Sequence, residues 1–99
     1  MAEFLLTNAA KDDLKSIGRY TQEQWGCEQR NRYLTLLDSS FHDLADNPLM
    51  GKDCSDIIAG YRKFPVGKHL VFYRQKGSNL IEIVRVLHER MDSESHLSG

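Results

Sequence analysis

The residues with most chemistry to offer close the chain's most apolar segment, EIVRVLHERMD, residues 82–92. Aliphatic side chains alternate there with charges, and the run ends in His88, Glu89, Arg90, Met91 and Asp92. An imidazole changes charge near neutral pH, so a histidine at a strand end is a natural candidate for proton transfer. The reaction that fits the neighbouring cations is metal-free RNA cleavage. Attack by a ribose 2′-hydroxyl needs a base, a proton donor for the leaving oxygen, and cations to stabilise the phosphorane. Arg62, Arg74, Arg85 and Arg90 could supply the cations, with His88 or His69 as the acid–base group. The minimal set for a ribonuclease is His88 with Arg62 and Arg85. Spacing argues against it. Glu82 lies six residues before His88, about 20 Å along an extended strand, and cannot orient the ring. Glu89 and Asp92 are nearer, but either can pair with Arg90 instead. The balance therefore favours a structural hydrogen-bonding histidine over a catalytic one.

Other chemistries find less support. His42, His69, His88 and His96 are scattered with no HxxxH or CxxC spacing, so no metal is expected. Gly51, Gly60, Gly67 and Gly77 stand alone and build no phosphate-cradling loop, and no cofactor is expected. Cys27 and Cys54 have no base beside them in sequence to make a thiolate nucleophile.

These residues must be positioned by a small fold. The chain has 99 residues, 40% hydrophobic and 27% charged, which suits one globular domain over residues 1–99. No apolar run approaches the roughly 20 residues that span a bilayer, and the N-terminus lacks the basic region of a signal peptide. With two cysteines in no framework, the expected setting is the reducing cytoplasm, away from membranes. Net charge is −1, but it is unevenly spread. Residues 1–49 carry five Lys/Arg against eight Asp/Glu, whereas residues 60–90 carry seven against two. A basic half suits an acidic protein segment or a phosphate backbone, or is simply a solvated sheet surface.

Residues 3–6 read as a short strand, after which Thr7 or Asn8 can cap a helix whose positive end Asp12 and Asp13 would favour. Ala10, Leu14, Ile17 and Tyr20 define its apolar face, Gly26 can close it, and Trp25 is expected to anchor the corner. A second helix is predicted over Cys27–Asp46, with Tyr33, Leu34, Leu37, Phe41, Leu44 and Ala45 along one side and Asn47-Pro48 as its stop. Residues 47–60 read as loop. Strands are predicted at Tyr61–Val66 and His69–Arg74 around a Gly67-Lys68 turn, and at Leu80–Leu87 after a turn over Gln75–Asn79. On the last strand, strict alternation puts Ile81, Ile83, Arg85 and Leu87 on one face and Val84, Val86 and His88 on the other. The predicted class is α+β, ordered β-α-α-β-β-β, with a helical hairpin on one face of a small, mainly antiparallel sheet. Two helices cover one face, so Phe64, Leu70, Phe72 and Val84 cannot all lie beneath them. The other face is expected to meet solvent, a protein partner or a second copy.

Nearly the whole chain resembles the ParE branch of the RelE/ParE toxin superfamily of bacterial type II toxin–antitoxin modules. The segments that carry the resemblance are AAKDDLKSIGRYTQEQWG, LADNPLMGKD, GYRKFPVGKHLVFYR and IVRVLHERMD with a late HL. The resemblance implies the β-α-α-β-β-β fold and one of two activities. RelE-like members cleave messenger RNA on the ribosome, with Lys/Arg residues and commonly a tyrosine near the C-terminus. ParE-like members poison DNA gyrase and stall replication, which gives growth arrest and, on plasmids, plasmid stabilisation. Here the tail after Asp92 is SESHLSG, without Tyr or Lys, and this departure favours the gyrase branch.

Carried over by motif, the resemblance points to His88, Arg90, Met91, Asp92, His96 and Leu97 for contact with gyrase. It points to Tyr61, Arg62, Phe64, Phe72, Arg74 and Arg85 for the cognate antitoxin. No catalytic residue is implied on this reading; ribosome-dependent mRNA cleavage is the alternative. DNA would be met only indirectly, through antitoxin or gyrase. A homodimer or a toxin–antitoxin hetero-oligomer is the assembly open to such a chain.

Overall fold

The computed structural model describes residues 2–56 and 58–90. The order is β1 (Glu3–Leu6), α1 (Asn8–Trp25), α2 (Cys27–Asp46), β2 (Lys52–Asp53), β3 (Tyr61–Val66), β4 (His69–Gly77) and β5 (Leu80–His88). The α+β class and the helical hairpin are as expected. One element is additional: β2, two residues inside the predicted loop, pairs antiparallel with Arg62 and Lys63 of β3. Two residues carry no periodicity from which a strand could be read. The strands form one sheet in the order β1-β5-β4-β3-β2, antiparallel except where β1 lies parallel to β5.

Thr7 links the sheet to the first helix. Its backbone N–H donates to Ile83 O at 3.1 Å, extending the β1–β5 ladder by one residue. Its hydroxyl accepts from the Ala10 N–H at 3.0 Å, capping α1, and donates to Val84 O at 2.7 Å. Asp12 and Asp13 fall beyond the first turn, so they do not act on the helix's positive end as expected. Asp13 has a different task. Beyond Leu6, β5 has no strand on its β1 side, and the Asp13 carboxylate occupies that edge. It accepts the Val86 N–H at 2.9 Å and both Nε and Nη2 of Arg85, at 2.8 and 2.9 Å. This hydrogen bonding holds the Arg85 guanidinium above its ordinary range.

Gly26 ends α1 with φ 93°, a value that costs a residue without Cβ little, and the chain turns directly into α2. The helices bury Ala10, Ile17, Leu37, Phe41, Leu44 and Ala45 against Val66, Val71, Tyr73, Ile81, Ile83 and Val86. Each fully buried Leu, Ile or Phe contributes roughly 2 kcal/mol over exposure. Tyr20, assigned to the apolar face by spacing, lies outside this core, and so does Trp25. Tyr20 is 63% exposed, and Trp25, expected to anchor the corner, is 71% exposed. Thr21 takes the buried place near Tyr20 and satisfies its hydroxyl by donating to Ile17 O at 2.7 Å.

Strict alternation fails on β5. Phe72 pairs with Arg85 but Tyr73 pairs with Ile83, so Val84 is an extra residue in the ladder. The bulge shifts parity: Val86, not Arg85 or Leu87, joins Ile81 and Ile83 in the helix-side core. Leu87 lies in a second cluster with Phe72 and Cys54, with Tyr61 and Leu70 packed around it. The face away from the helices is thus not bare. The segment after β2 folds back over it, with Cys54 N–H donating to Tyr61 O at 3.0 Å. Burial pushes the Cys54 thiol up.

The NPLMG stretch acquires a physical meaning here. Tyr73 is fully buried, and its hydroxyl donates to Pro48 O at 2.7 Å and accepts from the Gly51 N–H at 2.9 Å. A Cβ at residue 51 would collide with that hydroxyl and lie 2.9 Å from Lys63 O. Glycine is therefore required by close approach.

Two substitutions test these ties. Asp13→Ala strands a partly buried guanidinium and a backbone N–H, and should cost about 2–3 kcal/mol in urea unfolding. Adding Arg85→Ala to it should cost less than the sum of the single changes. Tyr73→Phe, which leaves Gly51 N–H and Pro48 O without their partner, should cost about 1–2 kcal/mol by the same measurement.

Candidate functional site

The strand end that carries His88 meets the β3–β4 turn and the middle of α2. His69 and His88 are cross-strand partners, with ring centroids 5.3 Å apart in an edge-to-face arrangement. Tyr33 of α2 packs over the turn. Its hydroxyl stands 2.5 Å from His69 Nδ1 and 3.2 Å from Val66 O, and it accepts the Lys68 N–H at 3.2 Å. Burial pushes the Tyr33 hydroxyl up, so it stays protonated. The Glu89 N–H donates to Lys68 O at 2.9 Å, fastening the end of β5 to the turn. His88 Nδ1 accepts the Arg90 N–H at 3.1 Å, so the neutral ring carries its proton on Nε2.

Above this cluster lies a groove of about 730 Å³. Tyr20 and Trp25 at the hairpin corner, Tyr33 and Lys68, and the two histidines are among its lining. Its wall is mostly apolar. Burial, and next the neighbouring His88, hold His69 below its ordinary 6.5, against weaker opposing effects of Glu89 and Asp13.

The residues proposed for RNA cleavage are not assembled here. Arg62 is level with Tyr73 and Ile83, whereas His88 is level with His69 and Val66, four residues further along β3. That offset is about 13 Å. Arg62 donates to Gly51 O at 2.8 Å, and Arg85 is held by Asp13. Both guanidiniums serve the fold. Among the described residues no group of three or more His, Cys, Asp or Glu could hold a metal ion.

The residues assigned to the antitoxin divide between the faces. Tyr61 and Arg74 are cross-strand partners, with the guanidinium 6.0 Å from the ring centroid, and Arg74 also pairs with Glu82 at 2.9 Å. Phe72 shares their face but is fully enclosed, and Phe64 packs with the helix-side core. Neither therefore offers the open surface expected of it, because one is covered by the fold-back after β2 and the other lies under the helices. Of the residues assigned to gyrase, His88 and Arg90 stand at the end of β5. Met91, Asp92, His96 and Leu97 lie outside the described residues.

The family model for the ParE toxin of the type II toxin–antitoxin system parDE matches residues 4–93. The chain belongs to the ParE toxin family. Toxin ParE1 of Mycobacterium tuberculosis is 41% identical over 96 residues, covering 97% of this chain and 98% of that protein. Toxin ParE of Escherichia coli is 34% identical over 98 residues, 99% of this chain and 95% of that one. A solved chain from the chromosomal ParDE system of P. aeruginosa superposes with a TM-score of 0.75 at 20% identity, over 89% of this chain and 96% of that chain. The last comparison speaks for the fold. Among the described residues, no helix of this ParE-family chain is long and apolar enough to cross a membrane.

Reading by motif missed Tyr33, Lys68, Tyr20 and Trp25 as parts of one site, and treated His69 only as a substitute for His88. A signal for the histidine pair was present. Counting outward from the Ser78-Asn79 turn, residue for residue, places His69 opposite His88. The two bulges, at Lys76 on β4 and Val84 on β5, cancel over that length.

The cluster makes this ParE-family fold acid-sensitive. The folded state holds His69 below 6.5, while the unfolded chain takes the proton near 6.5. Stability is therefore complete above about pH 6.5 and is lost as pH falls through the window below it. Melting temperature should drop between about pH 7.5 and about pH 5.5, and His69→Asn should flatten that dependence.

Proposed function

We propose that this ParE-family toxin inhibits DNA gyrase without catalysing a reaction itself, by trapping gyrase on DNA and so blocking replication. A cognate antitoxin neutralises it in the cytoplasm, and DNA is met only through those two proteins. The observation that carries the reading is the family match over residues 4–93, which includes the strand end and residues beyond it. The separation of Arg62 from His88, and the engagement of Arg62 and Arg85 inside the fold, support contact over RNA cleavage. On this reading His88 and Arg90 begin a contact surface that continues into Met91, Asp92, His96 and Leu97. Tyr61 and Arg74 are the better candidates for the antitoxin, because they share a partly exposed face of the sheet.

A supercoiling assay with purified gyrase, run beside an mRNA cleavage assay on ribosomes, decides between the two activities. The expected result is loss of supercoiling with accumulation of cleaved DNA, and intact mRNA. Deleting residues 89–99 should abolish growth arrest while antitoxin binding survives. Growth arrest at the full-length dose would refute the role given to the strand end and tail.

A further inference from the structure

We propose that the groove between Tyr20, Trp25 and the His69–His88 pair receives an acidic segment of the toxin's protein target. The segment sets an apolar side chain against the aromatic wall and a carboxylate against Lys68 and His88 Nε2–H. This inference rests on the gyrase reading above and adds to it a second contact, reached from the helical hairpin.

Four observations lead to it. Tyr20 sits at a helical spacing that should have buried it and Trp25 was expected to anchor the corner, yet they are 63% and 71% exposed. They add little to the core, and Trp and Tyr are the side chains that most often anchor protein interfaces. The groove's charge also differs from its surroundings. The half of the chain that holds α1 and α2 has an excess of acid, but among the described residues no Asp or Glu lines the groove. Among the described residues of its lining, the permanent charge is the Lys68 ammonium. The donor chemistry is fixed as well: His88 gives its Nδ1 to the Arg90 N–H and keeps a proton on Nε2. Finally, the groove reaches the strand end, because His88 is part of its lining and the Glu89 N–H is bonded to Lys68 O.

Size and charge choose the occupant. A volume of about 730 Å³ takes a few side chains rather than a folded domain. One permanent cation in a mostly apolar wall is a poor match for a nucleic-acid backbone, whose binding depends on neutralising several phosphates. A protein segment with one carboxylate beside one large apolar residue matches both features.

The test uses the full-length toxin and reconstituted gyrase in the supercoiling assay, with melting temperature and antitoxin co-purification measured on each variant. Trp25→Ala and Lys68→Glu should each raise the concentration for half-inhibition at least about tenfold, the loss of one good anchor. Melting temperature and antitoxin capture should stay at wild-type values. Trp25→Phe should recover most of the potency. If Trp25→Ala lowers the melting temperature, Lys68→Glu, at an exposed turn position, decides alone. Wild-type potency in both variants overturns the groove assignment and leaves the gyrase reading intact. Lost antitoxin capture with unchanged gyrase inhibition also overturns it. A wild-type toxin that leaves gyrase untouched overturns both.

Discussion

The Asp13 carboxylate is the constraint on which the arrangement of helices and sheet most depends. β1 accompanies β5 only as far as Leu6, and from there the edge of β5 must be satisfied by something other than a strand. One carboxylate does so, taking the Val86 N–H and the Arg85 guanidinium together. Unpaired, these would be a partly buried charge and a backbone donor on an open edge, both costly. Thr7, six residues earlier, completes the edge through Val84 O. Two side chains from the start of α1 thus set where the helical hairpin sits, and with it the wall of the groove above His88.

The same economy operates at the sheet's other margin. The Tyr73 hydroxyl spans from Gly51 N–H to Pro48 O, so the segment leaving α2 is fastened to a strand at the middle of the sheet. That tie brings β2 alongside β3, and the next residues fold Cys54 over Phe72 and Leu87. A face that looked bare when only helices were counted is thereby partly covered. At the far end, Tyr33 does the equivalent for the β3–β4 turn and leaves the histidine pair between turn, strand end and helix. Function on the reading proposed above follows from position. The strand end is fastened to the β3–β4 turn through the Glu89 N–H and Lys68 O.

Much of the fold could be read from residue types. The limits of α2, from Cys27 to Asp46, followed from one apolar stripe, a glycine before it and Asn-Pro after it. The strand pair about Gly67-Lys68 followed from two apolar runs separated by a turn. Less of the candidate site was legible, for three reasons. The Val84 bulge inverted the faces assigned to the end of β5, and nothing local in IVRV marks a bulge. Arg62 and Arg85 counted as free cations because their partners, Gly51 O and Asp13, lie 11 and 72 residues away. Tyr20 obeyed helical spacing, but Thr21 beside it takes the buried place, and spacing alone does not choose between neighbouring residues.

By itself, then, the sequence determined both helices and every strand but β2, their order, the family and the absence of any metal-ligand spacing, because these depend on local periodicity, turn chemistry and whole motifs. Tertiary structure alone decided which cations were already spent, which aromatics were left in water, and that His69, His88, Tyr33 and Lys68 form one cluster. Those outcomes depend on pairings between distant segments and on a parity that one extra residue reverses. The HERMD stretch shows the division well. Its letters suggest a catalytic strand end, but the register sets His88 opposite a second histidine rather than an acid or a free arginine.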